Sequence, residues 1–111
     1  MASDQNFVNF ILEQLSKIEH IQAKKMFGEF GLYAGDKIFG LICDNKLFIK
    51  PTQAGQAFIG HPQEVPPYTG AKNYFLIEDK VEDSDWLCAL IRLTLEELPA
   101  TKPKKKKKNQ R

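Results

Sequence analysis

Apolar side chains at Phe7, Phe10, Ile11, Leu15 and Ile18 recur at the three- and four-residue spacing of one helical face. Glu13, Gln14 and Lys17 fall mostly on the other side, and Ser3 or Asp4 offers a side-chain oxygen to cap the helix start. From Lys24 the pattern changes to that of strands. Residues 24–33 read as one strand, with Met26, Gly28, Phe30 and Leu32 on one face and Phe27, Glu29, Gly31 and Tyr33 on the other. A turn at Ala34-Gly35-Asp36-Lys37 leads to a second strand over 38–43. Asp44-Asn45, two residues that tolerate the left-handed conformation, form a tight hairpin into a third strand over 46–50. Pro51 stops that strand, because it cannot donate to a ladder. The expectation is a three-stranded meander whose richer apolar face packs on helices.

Residues 52–60 predict a short helix closed by Gly60, followed by an extended connection through His61-Pro62 and Pro66-Pro67-Tyr68. Tyr74-Phe75-Leu76-Ile77-Glu78 reads as a further strand. Glu82, Asp83, Ser84 and Asp85 then place a cap and negative charge where a last helix begins. That helix carries Trp86, Leu87, Leu90, Ile91, Leu93 and Leu98, and Pro99 ends it. The class is α+β, with no internal repeat.

Eight Phe, three Tyr and one Trp in 111 residues supply one hydrophobic core without a disulfide or metal staple, but not two cores. One domain is expected over residues 1–100. Cys43 and Cys88 each sit in an apolar run without a CxxC partner; they read as small core residues, with a redox or nucleophilic role as the competing reading. The first residues lack a basic, apolar leader, and no apolar run approaches the roughly 18 residues of a membrane span. A cytoplasmic protein without membrane contact is expected.

The formal charge of +2 hides an asymmetry. Lys102, Lys104, Lys105, Lys106, Lys107, Lys108 and Arg111 crowd residues 101–111, leaving nine basic against fourteen acidic side chains in residues 1–100, a net of −5. The tail is expected to be disordered; it reads either as a solubility device or as a nonspecific contact for nucleic acid or another polyanion.

Candidate chemistry is sparse. His20 and His61 stand apart from any Cys or carboxylate at ligand spacing, and no glycine-rich phosphate loop is present. No metal, cofactor or catalytic residue is therefore expected. Glu29, between Gly28 and Phe30, reads as a carboxylate on a solvated strand face, against a general-base alternative. Phe27, Tyr33, Phe39, Phe48 and Phe75 read as core aromatics instead of a base-stacking platform, since the strands lack interleaved Arg and the body is acidic.

The run Met26-Phe27-Gly28-Glu29-Phe30-Gly31-Leu32-Tyr33, followed by Gly40-Leu41-Ile42-Cys43-Asp44-Asn45-Lys46-Leu47-Phe48-Ile49-Lys50, resembles the N-terminal domain of TfoX/Sxy proteins. There a Met-Phe-Gly-x-aromatic-Gly-Leu-Tyr strand leads into a second strand, an Asp-centred turn and a Leu-aromatic-x-Lys strand. The likeness continues through Pro66-Pro67-Tyr68, Asn73-Tyr74-Phe75 and the Trp helix, covering nearly the whole body. It implies a two-layer fold of secretion-chaperone-like order α-β-β-β-α-β-β-α, with helices on one face of an antiparallel sheet. It marks Met26, Phe27, Gly28, Gly31, Leu32 and Tyr33 as the family motif. The founding members are positive regulators of competence genes and carry a second, helical domain where this sequence runs into lysines. The expectation is a non-enzymatic regulatory or interaction module with a protein partner, able to form a homodimer; the alternative is a nucleic-acid-associated protein that binds through its tail.

Overall fold

Asp4 caps the first helix by accepting from the Asn6 N–H, and α1 runs Gln5–Gln14 in the computed structural model, which describes residues 3–99. Four strands follow: β1 (Ile21–Met26), β2 (Glu29–Ala34), β3 (Lys37–Cys43) and β4 (Lys46–Ile49). Then come α2 (Gln53–Ile59), β5 (Gln63–Val65), β6 (Tyr74–Ile77), a 3₁₀ turn (Asp79–Glu82) and α3 (Ser84–Glu97). The strands form one antiparallel sheet in the order β1-β2-β3-β4-β6-β5. The expected α+β class stands, with one strand more in the first half than the expected order.

The extra strand comes from residues 24–33, which form a hairpin and not one strand. Met26 pairs with Glu29, and Phe27 and Gly28 make the two-residue turn with φ of 52° and 81°. Positive φ at both positions is the geometry that matches strand twist in a tight hairpin. Gly28 adopts it freely, whereas Phe27 is strained there. The turn also resets the faces: Phe30 and Leu32 point into the main core as expected, but Met26 lies on the opposite face of the sheet. Asp44 and Asn45 make the second tight hairpin, with φ of 53° and 57°.

All three helices pack on one face. Val8, Ile11 and Leu15 near α1, and Leu87, Cys88, Leu90 and Ile91 on α3, meet Leu32, Ile42, Leu47, Ile49, Phe75 and Ile77 of the sheet. The register of β2 on β3 shifts between Leu32 and Tyr33, so Phe39 gains the core face out of turn. Gly60 closes α2 with φ of 96° as the sequence predicts, Thr52 caps its start, and of the acidic run expected to cap α3 it is Asp83 that does so. Glu97 at the end of α3 also accepts from the Gln53 and Ala54 N–H groups, tying α3 to the start of α2.

The other face of the sheet carries a smaller apolar cluster: Leu41, Cys43 and Phe48, with Met26, Ile38, Val65, Tyr74 and Leu76 against it. Both cysteines are free and buried. Among the described residues no helix is long and apolar enough to cross a membrane.

Candidate functional site: the β1–β2 hairpin tip

The tips of the two tight hairpins lie at the same end of the sheet, and Glu29 holds them together. One of its carboxylate oxygens accepts from the Ser3 N–H at 2.9 Å and the other from the Asp44 N–H at 3.0 Å. The link is doubled by the Asn45 N–H donating to Ser3 Oγ at 3.0 Å and the Asp4 N–H donating to Asn45 Oδ1 at 2.7 Å. Partial burial pushes the Glu29 carboxyl up, but the hydrogen bonds from Asp44 and Ser3 outweigh it and leave it below the usual carboxylate range. Expecting a merely solvated carboxylate at Glu29 was therefore wrong. Sequence spacing gave no sign that two backbone N–H groups, 15 and 26 residues away, would converge on it.

Above this anchor Phe27 stands out, 92% exposed at the turn. The expectation that it is a core aromatic is corrected. Phe39, Phe48 and Phe75 are buried, and Tyr33 is half-buried with the Lys24 ammonium 4.8 Å from its ring. A strained, solvent-facing Phe costs stability in two ways, through its backbone and through its hydration. Such positions persist where surrounding structure enforces them and concentrate at binding sites.

A groove of about 890 Å³, with Phe27 as one of its walls, opens on the helix-free face. Met26, Leu41 and Cys43 contribute apolar surface, Pro67 and Tyr68 come from the loop before β6, and Glu29 and Asp44 supply acid. Tyr68 is 56% exposed, so groove and tip form one aromatic patch. Burial, and then the charges of Glu29 and Asp44, push the Cys43 thiol up to about 11. It is thus protonated near neutral pH and a poor nucleophile.

The motif residues divide by role. Gly31 is buried in β2, where a Cβ would come within 2.9 Å of Met26 Sδ and 3.2 Å of the Tyr33 ring, and Leu32 is fully buried. Met26, Phe27 and Gly28 belong to the exposed end. Leu41, Cys43, Asp44, Pro67 and Tyr68 were not singled out as site residues. Their convergence follows from strand order, which no local pattern shows. The tail residues Lys102, Lys104, Lys105, Lys106, Lys107, Lys108 and Arg111 lie outside the described residues.

The family model of the TfoX N-terminal domain matches residues 13–98. The chain belongs to the TfoX N-terminal domain family. An uncharacterised 12.7 kDa protein from the trpE 5′ region of Spirochaeta aurantia is 39% identical over 107 residues, covering 96% of this chain and 93% of the relative. In this TfoX-type domain the motif's first three residues build the hairpin tip, and Gly31, Leu32 and Tyr33 build the strand that supports it.

Proposed function

We propose that this TfoX-type domain is a non-enzymatic, cytoplasmic regulatory module that docks a protein through the Phe27 hairpin tip, in the manner of a competence or transcription regulator. The observation that carries this reading is the 92% exposure of Phe27, held at positive φ on the wall of an apolar groove. Buried aromatic anchors dominate binding energy at protein interfaces, and a rigid, pre-positioned ring loses little freedom on docking. The raised thiol pKa of Cys43 makes it a poor nucleophile near neutral pH.

Affinity capture with the full chain, with and without nuclease, compares the wild type with Phe27→Asp. A protein that survives nuclease and is lost from the variant is the expected result. Loss of every partner on nuclease treatment, with wild type and variant behaving alike, overturns this reading. That outcome favours the second one, contact with polyanions through the seven basic groups of the tail.

A further inference from the structure

We propose that the groove takes an arginine side chain from a basic segment of the partner protein, its guanidinium held by aromatic walls and carboxylates together. The inference rests on reading the hairpin tip as a docking surface and names the chemistry that docks there. Phe27 and Tyr68, both well exposed, form two of the groove's walls, and Met26, Leu41 and Pro67 add apolar surface. The charged residues of the lining are both acids, Glu29 and Asp44, and no Lys, Arg or His lines it. An apolar occupant would strip water from the carboxylates without pairing them, and an acidic one would be repelled. Arginine suits all three features. Its stem covers apolar surface, its planar head stacks on aromatic rings, and its fork of donors matches carboxylates.

Both acids have capacity for such a donor. The Asp44 and Ser3 N–H groups keep Glu29 charged at neutral pH, and each of its oxygens, having accepted one hydrogen bond, retains a lone pair. Asp44 stands 3.7 Å from Lys46, a pair so exposed that it is weak and leaves the carboxylate open to a further cation. The two acids also act on the groove's interior, where after burial their charges raise the Cys43 thiol. The lysines of β1 do not neutralise them. Lys25 pairs with Phe30 and so shares the helix-bearing face, while the Lys24 ammonium sits over the Tyr33 ring. The Lys37 ammonium donates to the Leu95 carbonyl, which puts the end of α3 near the start of β3, at the other end of that strand from Cys43 and the groove. The basic groups beyond residue 100 follow from that far end, and the arginine is another protein's.

Fluorescence anisotropy of the full chain tests the proposal with labelled peptides Ser-Gly-Leu-X-Leu-Gly-Ser, where X is arginine, its neutral isostere citrulline, or glutamate. The arginine peptide is expected to bind roughly tenfold more tightly than the citrulline peptide at low salt, and the gap narrows as salt rises. Asp44→Asn keeps a residue that tolerates the left-handed turn and should weaken the arginine peptide about fivefold. Glu13→Gln, the same loss of charge on the helical side, should leave it unchanged. Should Asp44→Asn disturb the fold, Tyr68→Ala, on an exposed wall of the groove, is expected to weaken the arginine peptide several-fold. Equal affinities for the arginine and citrulline peptides overturn arginine as the occupant, as does an arginine-specific affinity that Asp44→Asn and Tyr68→Ala both leave intact. Tighter binding of the glutamate peptide, or no binding of the arginine peptide into the millimolar range, overturns it as well. If the arginine peptide fails while a protein is still captured through Phe27, the docking surface stands and only the chemistry of its occupant falls.

Discussion

Phe30→Ala is expected to cost about 3–5 kcal/mol of folding stability, the range for truncating a buried Phe. Phe30 is only 7% exposed and stands opposite Ile42 on β3, in the core that the sheet shares with α1 and α3. Removing its ring leaves a hole beneath the hairpin among the side chains of that core. Against a typical net stability of about 5–15 kcal/mol, the loss moves much of the protein towards the unfolded state. Urea titration should show a lower midpoint with an unchanged slope. A loss under about 1 kcal/mol would place Phe30 outside the core, because a buried Phe truncation does not cost so little.

Glu29→Gln is the second large effect, at about 1–2 kcal/mol, in the range for hydrogen bonds to a charged group after allowing for partial exposure. The amide keeps one acceptor oxygen but points an NH₂ at either the Ser3 or the Asp44 N–H, so one of the two links becomes a donor facing a donor. The pH dependence has a definite sign. The folded-state pKa lies below the ordinary value of 4.5, so the carboxylate's contribution is fully present above that value. It is lost as pH falls through the lowered folded pKa. The wild type should therefore lose stability in acid more steeply than Glu29→Gln, the two curves converging at low pH. Parallel curves would show that Glu29 does not supply this linkage.

Much of the fold was legible because its signals are local. Asp44-Asn45, Thr52 with Gly60, and Asp83 before Trp86 each place turn or cap chemistry where backbone geometry demands it. The β1–β2 turn was missed because Phe27-Gly28 has only half of the expected signature. Gly28 suits positive φ, but a Phe ahead of it reads as strand until the partner strand is seen. The register shift on β3 was hidden for a related reason. Ile38 and Phe39 are both apolar, so alternation cannot say which of them faces the helices. The candidate site was legible only as a motif. Its residues were visible together, but a large apolar side chain is buried far more often than displayed, and composition assigns Phe27 to the core by default.

The conflict between that default and the observed exposure is what points to binding. A turn built only for folding favours Asn or Asp where Phe27 stands, and this chain uses such residues at Asp44-Asn45. A Phe at that position gives up solvation and backbone ease at the tip, and docking is what would recover the first by burying the ring.

In-cell photo-crosslinking addresses the docking surface most directly. A photoreactive side chain replaces Phe27 in one version and Glu13, exposed on the helical side, in another. The expected result is a discrete crosslinked protein species from position 27 that is absent from position 13 and unaffected by nuclease. Crosslinks of equal strength from both positions, or none from position 27 with a discrete species from position 13, would contradict a docking surface at the hairpin tip.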